Sequence, residues 1–231
     1  MLICLRRDEL DARPGLRDQM FEHRRKEFHE RLGWNLKIDH RGREIDGYDA
    51  LNPLYVILID QDGNHVASAR LLPTTGRTMI GEIFSDIVDP KVYVSTHAWE
   101  VTRVFVAKRD RNAMRSAAAL FWGGCHIGLS VGIDSFVSIT PKLMTRVFAA
   151  CGWKGEILQT GRDALDGEIC ACRWPINDHV LQTLTRRARP LLEGVSPPIL
   201  QTTPLSEPTE NSCSVALHEL QAPVSTQHHF R

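Results

Sequence analysis

The chain has 231 residues, 42% of them hydrophobic and 24% charged, which is enough to bury one domain-sized core. Twenty-eight basic residues balance 28 acidic ones, so no net field draws the protein to nucleic acid or to a membrane, and an anionic partner must be met by a local patch. Apolar runs such as 54–59 and 117–122 are far too short to span a bilayer and the amino terminus carries no signal-peptide pattern, so a soluble cytoplasmic protein is expected.

A short strand is expected at 1–5. Leu16, Met20, Phe21, Phe28 and Leu32 then recur at helical spacing, with Gly33 ending the helix. Residues 35–52 are polar and turn-rich and read as a long surface loop of the kind that covers a site. Two β-rich runs, 54–60 and 65–72, flank Gln61-Asp62-Gly63-Asn64 and predict a hairpin in which Val66, Ser68, Arg70 and Leu72 share a face. A short helix over 79–84, a strand over 98–107, a long helix over 112–131 and a strand over 134–140 follow. Pro141 opens another helix, stopped near Gly152, and strands around Ile157 and over 168–174 complete an α/β domain over 1–190. Residues 191–231 are rich in proline, serine and threonine and read as a mobile tail.

Six scattered cysteines without a Cys-x-x-Cys pair, and ten dispersed histidines, signal neither a disulfide framework nor a metal site. Candidate chemistry lies instead in charged and aromatic residues. Arg24, Phe28, Arg31 and Trp34 fall on one side of the first helix and its exit, where they either line a cleft or serve an ordinary amphipathic face. Arg70, Glu100 and Arg103 sit inside strands, and charges there need partners; with Asp46 and Asp49 they form either a structural ionic network or a pocket for a ligand bearing both signs of charge. Glu100 and Arg103 are three positions apart and face opposite sides of a regular strand, so either the strand bulges or the two serve different sites.

These residues, in this order, resemble the acyl-homoserine-lactone synthases, the LuxI type of quorum-sensing enzyme, over roughly residues 1–190. The motifs are the run from Arg24 through Phe28 to Trp34, the segment Glu44-Ile45-Asp46-Gly47-Tyr48-Asp49, Ser68-Ala69-Arg70-Leu71, Phe84, and the strand Glu100-Val101-Thr102-Arg103-Val104-Phe105-Val106. The resemblance implies a GNAT-like layered domain, with a central mixed, mainly antiparallel twisted sheet flanked by helices. It implies acyl transfer from an acyl carrier protein or acyl-CoA to the amine of S-adenosylmethionine, then lactonisation with release of methylthioadenosine. S-adenosylmethionine is then a substrate and no cofactor or metal is expected. Glu100, Arg103 and Arg70 are the implied catalytic group, with Glu100 as base. Arg24, Phe28, Trp34, Asp46, Asp49 and Phe84 are the implied S-adenosylmethionine set, Phe28 and Trp34 walling the adenosyl and sulfonium region.

Phe105, Ser138, Leu143, Met144 and Phe148 are expected to line an acyl pocket between the sheet and the helix after Pro141, Ser138 standing where the family's hydroxyl favours oxidised chains. The run Arg109-Asp110-Arg111-Asn112-Ala113 lacks the glycine-rich turn that cradles a coenzyme A pyrophosphate, which favours a carrier-protein donor, docked on a basic patch that includes Lys142, Arg146 and Lys154. Competing readings are an acetyltransferase acting on another amine, a non-catalytic ligand-binding or sensor domain, and a nucleophilic enzyme using Cys125 and His126.

Overall fold

The structure is a computed structural model and describes residues 1–198 apart from 108, 109 and 111. β1 (Leu2–Arg6) runs directly into α1 (Arg7–Asp11), and α2 (Pro14–Arg24) begins on a proline, whose missing N–H costs nothing in a first helical turn. The helix then widens into a π-helical segment over Arg25–Arg31, in which the Leu32 N–H reaches back five residues to the Glu27 carbonyl at 3.0 Å. Gly33, at φ +75°, ends it.

β2 (Leu54–Ile59) and β3 (His65–Pro73) form the expected hairpin, followed by the single turn α3 (Met79–Glu82) and by β4 (Ala98–Val106). The remainder is α4 (Ala113–Ser130), β5 (Ser135–Pro141), α5 (Lys142–Cys151), β6 (Glu156–Asp163), β7 (Gly167–Pro175) and α6 (Asp178–Leu192). Gly152, at φ +103°, closes α5 as the sequence predicts.

The strands form one seven-stranded sheet in the order β1-β2-β3-β4-β5-β7-β6, antiparallel throughout except for the parallel β4–β5 pair. That one parallel pairing covers only Ala98↔Ser135 to Glu100↔Val137. Beyond it β4 continues to Val106 and β5 to Pro141, each held by its other neighbour, and the two strands part. A wedge opens in the middle of the sheet, edged by backbone N–H and C=O groups that no longer pair across it.

One face is covered by α4, α5 and α6 over a core containing Leu54, Val56, Ala69, Trp99, Val101, Phe136, Cys172 and Trp174. α4 is buried on every side from Ser116 to Cys125, as a helix that is apolar all round must be. The opposite face carries three smaller clusters, around Met20, Phe21 and Tyr55, around Phe28 and Phe105, and around Ile80, Tyr93 and Val137.

Several expectations are corrected. Residues 35–52 are not simply a surface loop, because Glu44, Tyr48 and Asp49 are buried. Val66 leaves the face shared by Ser68, Arg70 and Leu72: the β2–β3 register shifts between Leu58 and Ile59, and Val66 packs with the helix-side core. α1 and α6 were not expected, and β6 is a full edge strand rather than a short piece near Ile157. α6 crosses residue 190, so the domain does not end there; the expected tail from 199 onward lies outside the described residues.

Candidate active site

The site is built on a bulge in β4. Arg103 has φ +52°, a left-handed conformation that non-glycine residues seldom adopt, and beside it the ladder slips, Arg70 pairing with Thr102 but Ser68 with Phe105. The extra residue reorders the faces. Trp99, Val101, Val104 and Val106 pack toward the helices, whereas Glu100, Thr102, Arg103 and Phe105 face the other way. The bulge posed by the sequence spacing is present, and it brings Glu100 and Arg103 to one cavity.

Behind that cavity three guanidinium groups interlock with three carboxylates. Arg24 Nη1 and Nη2 donate to the two oxygens of Asp49 at 3.0 Å each, and its Nε donates to Glu44. Arg70 donates through Nη1 to Asp46 and Asp49 and through Nε to the Thr102 hydroxyl at 3.0 Å. Arg103 Nη2 donates to Glu44 at 2.9 Å and to Asp46 at 3.0 Å. The Tyr55 hydroxyl donates to Asp49 at 2.6 Å, and the Met79 sulfur lies 3.2 Å from Arg70 and 3.4 Å from Arg103.

All six charged groups are buried except Asp46, which is 18% exposed. Burial by itself raises a carboxyl pKa, yet Asp49 is held far below the carboxylate range by Arg24 and Arg70, and Glu44 below it by Arg24 and Arg103. Arg103 is pulled down by burial and by the like charges of Arg24 and Arg70, against the opposing pull of Glu44. Isolated charges here would be prohibitive, and mutual pairing is what makes the arrangement tolerable.

Glu100 stands apart from this network. Its two oxygens accept the Met79 and Ile80 N–H groups at 3.0 and 2.6 Å, the unpaired donors at the start of α3, where the Thr78 hydroxyl caps Gly81. Burial nevertheless outweighs those bonds and raises its pKa.

A cavity of about 300 Å³ opens over these groups, lined among others by Trp34, Met79, Phe84, Glu100, Thr102, Arg103, Ile139, Asp163, Asp166 and Ile169. It lies at the wedge between β4 and β5. Trp34 stacks on Phe28 with ring centres 5.1 Å apart, and the Arg103 guanidinium lies 5.6 Å from the Phe28 ring centre and 5.9 Å from that of Trp34.

Of the residues singled out in the sequence, Trp34, Phe84, Glu100 and Arg103 line this cavity, with Phe28 directly behind Trp34. Arg24, Arg70, Asp46 and Asp49 do not line it and form the ionic scaffold beneath. Arg31 lies outside the site, bonded to Glu27 on the surface. Glu44, Thr102 and Met79 were missed. Glu44 hides in a run, Arg41-Gly42-Arg43-Glu44, that has the composition of a solvated turn and no periodicity to betray burial.

The five acyl-pocket candidates are elsewhere. Phe105 is sandwiched against His23 and His65, Leu143 is 69% exposed, and Met144 lies on α5 outside the lining. Ser138 accepts the Trp174 indole N–H at 2.8 Å, and Phe148 packs edge-on to Trp174 with ring centres 5.2 Å apart. The space between the sheet and α5 is therefore occupied by a cluster of rings.

The Cys125–His126 reading fails on geometry. Cys125 is sealed inside α4, where burial pushes its thiol up to about 12, and His126 sits edge-on to Trp122. Lys142 of the expected basic patch is paired with Glu168 at 2.6 Å. Arg109 and Arg111 lie outside the described residues. Among the described residues no cluster of three His, Cys, Asp or Glu side chains suits a metal, and no helix is long and apolar enough to cross a membrane.

A family profile described as Autoinducer synthase matches residues 9–184, spanning the ionic scaffold, the bulged strand and the cavity. The chain belongs to the autoinducer synthase family. An acyl-homoserine-lactone synthase from Rhizobium etli is 32% identical over 202 residues, covering 85% of this chain and 94% of that protein. Another from Acinetobacter nosocomialis is 29% identical over 152 residues, 62% of this chain and 82% of its own.

Among solved structures, the acyl-homoserine-lactone synthase LasI superposes with a TM-score of 0.70 at 25% identity, over 80% of this chain and 93% of that one. The CoA-dependent synthase BjaI, solved with S-adenosylmethionine and isopentyl-CoA, gives 0.72 at 22% identity over 86% and 92%. An aminoglycoside 6'-acetyltransferase gives 0.52 at 17% identity over 77% of this chain and 97% of that one. This autoinducer synthase thus has the GNAT-like fold.

Proposed function

We infer that the cavity joins an acyl thioester to S-adenosylmethionine and closes the product into a lactone. The protein is an acyl-homoserine-lactone synthase. The observation that carries the site assignment is the convergence of Glu100 and Arg103, through the β4 bulge, on an aromatic-walled cavity at the wedge of the sheet.

S-adenosylmethionine carries a carboxylate, an ammonium and a sulfonium. Trp34 and Phe84 offer aromatic walls to the adenosyl and sulfonium end, and cation–π attraction to such rings is worth about 0.5–2 kcal/mol. Arg103 offers a guanidinium to the carboxylate. Arg24, Arg70, Asp46 and Asp49 act beneath it by fixing the position of Arg103 and of the segment that carries Glu44.

Glu100 takes a proton from the substrate ammonium, directly or through water; a free α-amino group titrates near about 8, so this costs only about 1 kcal/mol near neutrality. The amine attacks the thioester carbonyl, the thiolate leaves with a proton, and an amide forms. Backbone N–H groups along the unpaired edge of β4 are suited to stabilise the oxyanion. The methionyl carboxylate then attacks its own γ-carbon, the carbon–sulfur bond breaks toward the sulfonium, and methylthioadenosine and the acylated lactone are released. This second step is largely a matter of holding the carboxylate close to that carbon.

BjaI, solved with S-adenosylmethionine and isopentyl-CoA, supports S-adenosylmethionine as acceptor and a coenzyme A-linked donor. The donor is an acyl carrier protein or acyl-CoA, with the acyl chain entering the wedge along the cavity wall formed by Ile139 and Ile169.

The test is mass spectrometry of lipid-soluble products from bacteria expressing the intact chain or its Glu100→Gln variant. A homoserine-lactone ion from the intact chain alone is expected, its remaining mass identifying the acyl group. Its absence with a panel of acyl thioesters supplied to folded protein would transfer the case to an acetyltransferase or a sensor domain.

A further inference from the structure

The turn joining β6 to β7 lies far along the chain from Trp34, yet it forms part of the same cavity wall. Its conformation is internally determined. The Asp163 carboxylate accepts the Leu165 and Asp166 N–H groups at 2.8 and 3.0 Å, and Gly167 turns the chain back at φ +70°. The turn thus presents Asp166 toward Trp34, whose indole Nε1–H donates to Asp166 Oδ1 at 3.3 Å across 132 residues of sequence.

The faces of Trp34 are held by the Phe28 stack and by the Arg103 guanidinium. Such contacts resist tilting but leave a ring free to slide in its plane. The hydrogen bond to Asp166 supplies the in-plane anchor. Leu165, beside it and 61% exposed, forms one lip of the cavity, and Ile83, 61% exposed, another. A flat apolar lip and a pinned indole together suit a planar ligand lying along Trp34.

We propose that Asp166 is a positioning residue for acceptor binding, fixing the Trp34 ring as the wall against which the adenosyl and sulfonium end of S-adenosylmethionine rests. This rests on the reading of the cavity as the S-adenosylmethionine site. In this proposal the carboxylate acts through the indole, from which its Oδ1 accepts, and the loss of charge in asparagine separates that role from a counter-charge to the sulfonium. Asparagine, whose amide oxygen accepts the same bond, is therefore a functional replacement, and alanine is not.

The experiment measures S-adenosylmethionine affinity by titration calorimetry and separates KM from kcat for both substrates, in the intact chain and in Asp166→Ala, Asp166→Asn, Trp34→Phe and the Asp166→Ala/Trp34→Phe double variant. Asp166→Ala is expected to weaken S-adenosylmethionine binding and raise its KM roughly fivefold, the scale of one modest hydrogen bond, while KM for the acyl thioester holds. Asp166→Asn restores most of the loss. Trp34→Phe keeps a ring but removes the donor, and the double variant is no worse than the poorer single one, because both delete the same bond.

Multiplying losses in the double variant, an Asp166→Asn defect as large as that of alanine, or unaltered binding in Asp166→Ala would each overturn the proposal. If the intact chain did not bind S-adenosylmethionine, the functional reading would fall and the proposal with it. If it bound and Asp166→Ala bound equally well, only the proposal would fall.

Discussion

Arg24 and Asp49 meet through two parallel hydrogen bonds of 3.0 Å, with both side chains sealed from solvent. The same carboxylate also accepts from Tyr55 and Arg70, so it is the point where α2, β2, β3 and the 44–49 segment are tied together. Asp49→Asn keeps the shape but leaves two buried guanidinium groups short of a counter-charge. Breaking a buried pair on one side costs about 3–5 kcal/mol, and urea denaturation is expected to show a loss of that order. A loss below about 1 kcal/mol, the scale of an exposed pair, would mean that the network does not hold the segment in place.

The pKa of Glu100 at the cavity is raised, because burial outweighs the two backbone N–H bonds it accepts. Its basic form is the carboxylate, so kcat/KM is expected to rise with pH through a value above the ordinary glutamate range and to fall away below it. Glu100→Gln should remove that acid limb and lower kcat by at least about 100-fold, the usual scale of a general base, while calorimetry still detects S-adenosylmethionine. A pH–rate profile with the limb intact in the variant would assign the proton transfer to another group.

His65 lies under Phe105 with its Nδ1 2.8 Å from His23 Nδ1, and its Nε2 is buried without a hydrogen-bond partner. Burial first, then His23 and Arg24, lowers its pKa to about 3 from 6.5. The unfolded chain therefore takes up a proton in that interval that the folded chain refuses. The contribution to stability is complete above the unfolded value and is lost as pH falls toward 3, with a slope of up to about 1.4 kcal/mol per pH unit. His65→Phe should flatten the fall in urea midpoint between about pH 7.5 and pH 5. An unchanged slope would show that His65 is protonated in the folded protein.

Two glycines give different expectations for one substitution. A Cβ at Gly155 would meet the Trp174 ring at 2.6 Å, and that ring is pinned by Ser138 and packed against Phe148 and Trp153. Overpacking against an immovable ring costs about 1–3 kcal/mol, so Gly155→Ala should lower the thermal midpoint. At Gly123, inside α4, a Cβ would meet the tip of Leu2 at 2.4 Å, the end of a flexible side chain, and Val56 Cγ1 at 3.1 Å, within reach of a small shift. Alanine there gains about 1 kcal/mol of helix propensity, which offsets the cost of turning Leu2 aside, and Gly123→Ala should leave stability nearly unchanged.

Sequence patterns exposed the sheet more readily than the site. The β2–β3 hairpin, α4, and α5 with its proline start and glycine stop are each written in period and punctuation. The bulge was legible as a contradiction, since Glu100 and Arg103 were both charged, both in one strand and three apart. α6 carried its own signal in Val180, Leu184 and Ala188 at four-residue spacing, but Pro190 within the helix obscured it. Glu44 stood in one of the family motifs, but its burial was not legible, because it depends on Arg24 and Arg103 arriving from distant elements. The ring cluster around Trp174 was likewise out of reach, since periodicity marks which positions are apolar and not which rings fill a given space.

The parting of β4 and β5 after Glu100 and Val137 has a consequence for how such an enzyme changes over generations. Main-chain amides survive every substitution except proline, so a slot edged by them is inherited intact while the side chains around it drift. New fatty-acyl preferences can then arise by remodelling the upholstery alone, with the bond-making frame left untouched.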